Sequence, residues 1–167
     1  MQVPNGPPMQ PDQKARLTVA LYQPDIPQNA GTILRMCACL GLAAAIIEPA
    51  GFLTSDKHFR RAGMDYLAHV EIARYPHWAA FDAWRRANER RLLLLTTKAS
   101  LPYTAFCYRP GDILLLGRES AGVPREVYDS ADARLVIPIR PQLRSLNVAV
   151  AAAMAAGEAT RQLGGIL

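Results

Sequence analysis

The sequence contains no Gly-x-Gly-x-x-Gly fingerprint, which excludes the dinucleotide-binding turn of a Rossmann fold. Gly117 and Gly122 have the glycine spacing of a Walker A loop. Val123 and Pro124 stand where that loop needs Lys and Ser or Thr, so NTPase chemistry is excluded too. No Gly-x-Ser-x-Gly elbow and no His-Glu-x-x-His pair occur, and the common hydrolase chemistries lose their support. Cysteine is scarce. Cys37, Cys39 and Cys107 are odd in number and lack the spacing of a disulfide framework. Cys37 and Cys39 lie two apart on a predicted helix, so they face different ways and make no zinc pair; buried small apolar residues are expected. The three histidines show no ligand spacing and are expected at the surface, so no metal is predicted. No apolar run approaches the ~20 residues that cross a bilayer. The N-terminus also lacks the basic-then-apolar pattern of a signal peptide. Together these absences predict a cytoplasmic protein with no membrane partner.

What is present is one domain's worth of chain. Its 167 residues, half of them hydrophobic, are enough to bury roughly two-thirds of the unfolded surface. Residues 1–16 hold four prolines, one glycine and little apolar content, and are expected to form a disordered tail ahead of a single domain at 17–167. A net charge of +5 and a pI near 9.4 point toward a polyanionic partner.

The pattern alternates strands with helices. Strands are predicted at 17–22, 44–48, 69–73, 91–96, 112–116 and 134–139. Asn29 is the expected N-cap of a helix running to Leu40 and stopped by Gly41, and Ser55 the expected cap of a short basic helix closed by Gly63. Trp78, Phe81 and Trp84 recur at helical spacing between His77 and Glu89 and read as core. A short helix follows Pro124, and an alanine-rich helix runs from Asn147 to Leu163, with Gly157 inside it despite costing about 1 kcal/mol against alanine. The 91–96 run is apolar without alternation, as when both faces of a strand are covered. The order predicts an α/β fold, a mostly parallel sheet with helices on both faces.

In such sheets ligands bind beyond the carboxyl ends of the strands. Three of those ends are Leu95-Thr96, Leu116-Gly117 and Ile137-Pro138. Gly117, with no Cβ, lets its backbone approach a ligand or simply ends a strand. Ser145 and Asn147 precede the last helix, and either is a candidate N-cap. A helix start also offers free amides to a ligand, so the two roles are compatible.

Three blocks, in order, carry a family likeness. They are Pro24–Gly31 opening a helix that bears Arg35, then Gly117-Arg118-Glu119-Ser120, then Arg140–Asn147. With the linkers Ile47–Gly51 and Arg61–Tyr66, this series resembles the three motifs of the SPOUT (trefoil-knotted) RNA 2′-O-methyltransferases, particularly the small subgroup acting on the wobble nucleotide of tRNA. The likeness spans residues 17–163. It implies a C-terminal trefoil knot, a homodimer whose alanine-rich helix packs at the knot and the interface, S-adenosylmethionine (AdoMet) as cofactor, and the tRNA anticodon stem-loop as partner. It places AdoMet among Leu95, Thr96, Gly117, Ile137, Ser145 and Leu146. It assigns the chemistry to Arg35, Asn29, Glu119, Ser145 and Asn147. Ala149 stands where the family often has a small hydroxyl residue. Arg35 is either the base or a clamp on the adjacent phosphate; a guanidinium stays protonated in proteins, so the clamp that fixes the ribose is the preferred reading. Lys57, Arg60, Arg61, Arg140 and Arg144 then supply the wider RNA surface. Methylation of another tRNA or rRNA site, or a catalytically silent RNA-binding module, are the alternatives.

Overall fold

A computed structural model describes residues 16–53 and 55–165; residues 1–15 of the expected tail lie outside it. A 7-stranded sheet is built from β1 (Thr18–Tyr22), β2 (Ala43–Ile47), β3 (Ile72–Tyr75), β4 (Leu92–Leu95), β5 (Leu101–Pro102), β6 (Ile113–Leu116) and β7 (Ala133–Val136). The order across it is β3-β2-β1-β6-β4-β7-β5, and every pairing is parallel. The helices are α1 (Pro27–Leu40), α2 (Lys57–Gly63), α3 (Trp78–Ala87), α4 (Arg125–Ser130) and α5 (Val148–Gln162). No helix among the described residues is long and apolar enough to cross a membrane.

The two-residue period of the strands divides the core into two layers. Val19, Leu21, Ala44, Ile46, Leu93, Leu114 and Leu135 face α1 and α5 with Ile33, Leu34, Cys37 and the alanines 149, 152, 155, 156 and 159. Their strand neighbours Ala20, Ala45, Ile47, Leu92, Leu94, Ile113 and Leu115 face Trp78, Phe81, Val127 and Ala131 of the α3 and α4 side. Helices therefore cover both faces, and the apolar runs at β4 and β6 are buried throughout. Trp78 and Phe81 are core, packed in a ring cluster with Tyr22, Tyr75 and Trp84. Among the alanines of α5, Ala152, Ala155, Ala156 and Ala159 are 0–1% exposed. Small side chains let this helix lie close on the sheet.

Arginines close the amino ends of the strands. Arg90 is buried and donates to the carbonyls of Gly111 (2.7 Å) and Arg16 (2.7 Å) and to Thr18 Oγ1 (2.8 Å). Arg91 grips Asp112 with two hydrogen bonds of 2.8 and 2.7 Å, and Arg85 joins Asp82 to Asp132. Charge-assisted bonds of this kind lock one end of the sheet. The carboxyl ends are left for function.

Several local expectations are corrected. Helix α1 begins at Pro27 with Ile26 as its N-cap and no capping side chain, so Asn29 lies inside the first turn. Proline at the first helical position needs no partner for a missing N–H, which is why the start shifts upstream. Gly41 does end it, in the left-handed region at φ 65°. Asp56, not Ser55, caps α2, accepting from the amides of His58 and Phe59. The chain continues as a 3₁₀ turn over Met64–His69, which moves the third strand to 72–75. Cys37 is buried and its thiol is pushed up to about 12 by burial, but Cys39 and Cys107 are exposed. His58, His69 and His77 are all exposed. The edge strand β5 was not expected at all. A Cβ on Gly157 would meet nothing within 4 Å, so this glycine serves no close packing inside the chain.

Candidate active site

A cleft of ≈ 540 Å³ opens at the carboxyl ends of β4, β6 and β7, within the usual range for small-molecule sites. Three segments wall it. Leu95, Thr96 and Thr97 leave β4; Leu116 and Gly117–Gly122 leave β6; Ile137, Ile139 and Arg144–Asn147 lie between β7 and α5, with Val148 opening α5. Ile26 and Asn29 of the α1 start complete the rim. Leu95, Thr96, Gly117, Ile137, Ser145 and Leu146, separated by up to 51 residues in sequence, thus line one cleft.

The β6 loop turns back on itself, with Arg118 and Gly122 exchanging backbone hydrogen bonds of 2.9 and 2.8 Å. A Cβ on Gly117 would sit 2.8 Å from the carbonyl carbon of Gly122 and 2.9 Å from its Cα. The requirement for glycine at 117 comes from this turn, in addition to any approach by a ligand. Gly122 completes the turn at φ 65°, a conformation that favours glycine.

A chain of polar contacts links the three segments. Asn147 caps α5, its Oδ1 accepting from the amides of Ala149 (2.8 Å) and Val150 (3.4 Å). Its Nδ2 donates to Asn29 Oδ1 (3.0 Å), and Asn29 Nδ2 donates to Glu119 Oε1 (3.4 Å). Glu119 Oε2 accepts from the Asp25 amide (3.1 Å). Asp25 in turn accepts from the Glu119 amide (3.2 Å) and from Ser120 Oγ, with Arg118 Nε 3.7 Å away. Because Asn29 is not spent as a helix cap, its side chain is available as the central link. The two carboxyls titrate in opposite directions. Burial, and then Asp25 beside it, raises Glu119; contact with Glu119 first, and then Ser120 and Arg118, holds Asp25 low.

Asn29, Glu119, Ser145, Asn147 and Arg144 are therefore at the cleft. Arg35 is not. It is exposed on α1, stacked 4.6 Å from the Tyr66 ring centre, with Nη1 3.4 Å from Met64 Sδ. Lys57, Arg60, Arg61 and Arg140 are exposed outside the cleft. Among the described residues these four and Arg144 make no salt bridge, unlike Arg74, Arg85, Arg86, Arg91, Arg125 and Arg161, whose charges are matched within the chain. Sequence reasoning missed Asp25, Ile26, Thr97, Ser120 and Ile139. Asp25 lies inside the first motif block, but its partners are 94 and 95 residues away, and no local pattern connects them.

The fold and cleft define a parallel α/β protein with a cleft of small-molecule size at its strand ends and, among the described residues, exposed cations that make no salt bridge. The chain belongs to the SpoU rRNA Methylase family, whose model matches residues 16–157. A tRNA (cytidine(34)-2′-O)-methyltransferase of Beijerinckia indica subsp. indica is 68% identical over 148 residues, covering 89% of this chain and 92% of the relative. A solved structure described as giving insight into 2-OH methylation of C/U34 on tRNA superposes with a TM-score of 0.83 at 42% identity, over 88% of this chain and 95% of that one. An AdoMet-bound rRNA methyltransferase from Sinorhizobium meliloti has a TM-score of 0.84 at 29% identity, over 90% of this chain and 57% of that one.

Proposed function

We propose that this chain transfers a methyl group from AdoMet to the ribose 2′-hydroxyl of nucleotide 34, a cytidine or modified uridine, in the tRNA anticodon loop. The observation that carries the reading is the meeting of three distant motif segments, joined by the Asp25–Glu119–Asn29–Asn147 contacts, on one cleft at the strand ends. The Beijerinckia relative that bears this activity in its name matches nearly end to end. The rRNA-named Sinorhizobium neighbour is matched over only 57% of its length, which favours tRNA over rRNA as substrate. The intact polar chain argues against a silent binding module.

The cleft suits AdoMet. Leu95, Leu116, Ile137 and Ile139 offer an apolar wall for a purine, and the loops at Thr96, Gly117 and Ser145–Leu146 offer backbone and hydroxyl groups for its polar parts. When bound, the cofactor would supply a sulfonium methyl group: the S–CH3 bond breaks, an O–CH3 bond forms at the ribose, the hydroxyl proton passes to solvent, and S-adenosylhomocysteine is the other product. Glu119, Asn29 and Asn147 hold the loops in register, so that orientation contributes to the rate. Arg35 clamps the phosphate next to the reacting ribose, and Lys57, Arg60, Arg61, Arg140 and Arg144 bind neighbouring phosphates.

The enzyme works as a homodimer in this reading. Val150, Ala153, Met154 and Gly157 form an exposed small and apolar stripe on α5, with Val150 49% and Met154 38% exposed. Ile26 and Leu146 are further exposed apolar residues, on the lining of the cleft. Gly157, open within the chain, then permits close approach of the second copy. Arg35, which its own chain holds away from the cleft, becomes available to the cleft of that copy. The return of α5 onto α1 and β6 after the strand-end loops supports the trefoil knot, and a tRNA substrate supports a cytoplasmic location. Nucleoside mass spectrometry of tRNA from cells lacking the protein tests the reading. The 2′-O-methyl mark at position 34 should be lost; its persistence would refute the assignment.

A further inference from the structure

We propose that Asp25 is a positioning residue for methyl transfer, holding the Gly117–Gly122 loop and the Glu119 carboxyl in register with the cleft. The inference rests on the functional reading above. Asp25 stands two residues ahead of α1, where an acidic side chain ordinarily serves the helix start. Here it serves something else: α1 has Ile26 as its N-cap and no capping side chain. Both Asp25 oxygens turn to the distant loop instead. Oδ1 accepts from the Glu119 amide (3.2 Å), Oδ2 accepts from Ser120 Oγ, and Arg118 Nε lies 3.7 Å from Oδ2.

The exchange is reciprocal, because the Asp25 amide donates to Glu119 Oε2 at 3.1 Å. One residue thus holds three successive loop positions and orients the carboxylate of the middle one. The Asp25 backbone is itself held from behind. The Gly51 amide donates to the Pro24 carbonyl (2.8 Å), and a Cβ on Gly51 would come within 3.0 Å of Asp25 Cα. A wedged backbone carrying a doubly engaged carboxylate is what fixing a loop requires. The other side-chain hydrogen bonds of the loop are longer than the Asp25–Glu119 pair at 3.1 and 3.2 Å: Asn29 to Glu119 at 3.4 Å and Arg118 to Gln23 at 3.5 Å.

Ionised Glu119 is the stronger acceptor for the Asp25 amide and for Asn29, so protonating it weakens both bonds. The charged group beside it is Asp25, with Arg118 Nε 3.7 Å from Asp25 Oδ2 and Arg144 elsewhere on the cleft lining. Removing the Asp25 charge lets Glu119 ionise at lower pH, consistent with its upward shift by burial and by Asp25.

The test uses the full chain, with S-adenosylhomocysteine as the calorimetric probe and single-turnover methyl transfer to tRNA followed across pH. Asp25→Ala is expected to weaken S-adenosylhomocysteine roughly 10–100-fold, as for loss of charge-assisted hydrogen bonds. Asp25→Asn keeps the volume and one acceptor. It should bind the probe within about tenfold of the parent, while the acid limb of its rate profile moves to lower pH. If Asp25→Ala fails to fold, Asp25→Asn decides alone. An acid limb that stays in place in Asp25→Asn overturns the proposal. A parent chain that binds no S-adenosylhomocysteine sinks the methyltransferase reading itself, a distinguishable result.

Discussion

Replacing Asn147 with alanine removes three hydrogen bonds that fall into two separable groups. Two belong to the cap, from the amides of Ala149 (2.8 Å) and Val150 (3.4 Å), and one is the 3.0 Å link from Nδ2 to Asn29. Loss of an asparagine cap costs about 1 kcal/mol, with a range of roughly 0.5–2. An exposed side-chain link adds about 0.5–1 kcal/mol. The sum, about 1–3 kcal/mol, corresponds to a melting temperature lower by roughly 2–12 °C for a chain of this size. Asn147→Asp separates the two groups. It keeps the acceptor at the start of α5, where a negative charge is favourable, but loses the donor to Asn29. It should therefore melt close to the parent while binding S-adenosylhomocysteine more weakly, since Asn29 is no longer tied to the third motif. In a double-mutant cycle with Asn29→Ala, the coupling should be about 0.5–1 kcal/mol. Thermal unfolding by circular dichroism and calorimetry of the parent, the three single variants and the double variant give all the quantities. Melting of Asn147→Ala within about 1 °C of the parent would refute the cap argument. Equal losses in Asn147→Asp and Asn147→Ala would refute the division into cap and link.

Three other outcomes are expected. Arg35→Ala should abolish methyl transfer with little change in S-adenosylhomocysteine affinity, because Arg35 lies off the cleft; Arg35→Lys keeps the charge without the fork and should fall about 10–100-fold, or ~1.4–2.7 kcal/mol, in single-turnover rate, and full activity in Arg35→Ala would contradict the clamp. Gly117→Ala puts a Cβ 2.8–3.0 Å from Gly122 backbone atoms, so unfolding should show a loss of about 1–3 kcal/mol and calorimetry weaker cofactor-product binding. A chain beginning at Ala15 keeps Arg16, whose carbonyl accepts from Arg90 at 2.7 Å, and should keep its melting temperature within about 2 °C and its assembly mass by light scattering.

Much of the fold is legible because the signals are local and periodic. The unbroken apolar runs at 92–95 and 113–116 announce strands buried on both faces, and Trp78, Phe81 and Trp84 announce the inner side of α3. Gly41 marks a helix end by its left-handed backbone. The failures have equally physical causes. The edge strand at Leu101–Pro102 is two residues long and contains proline, which is tolerated at a sheet edge but carries no strand pattern. Ser55 and Asp56 are both able caps, and only the backbone decides that Asp56 faces the free amides. The cleft walls follow from strand ends, so Leu95, Gly117 and Ile137 can be found from the sequence. Asp25 cannot, since its partners arrive through folding. Arg35 illustrates the converse: its motif position is plain in the sequence, while its distance from its own chain's cleft is a property of the fold.

The central claim is best tested with purified protein, isotopically labelled AdoMet and unlabelled tRNA, followed by nuclease digestion and mass mapping of the labelled nucleotide. The label is expected on the ribose of nucleotide 34, as a 2′-O-methyl group, with loss of transfer in Arg35→Ala. Label at another nucleotide, on a base, or nowhere in the tRNA would contradict it.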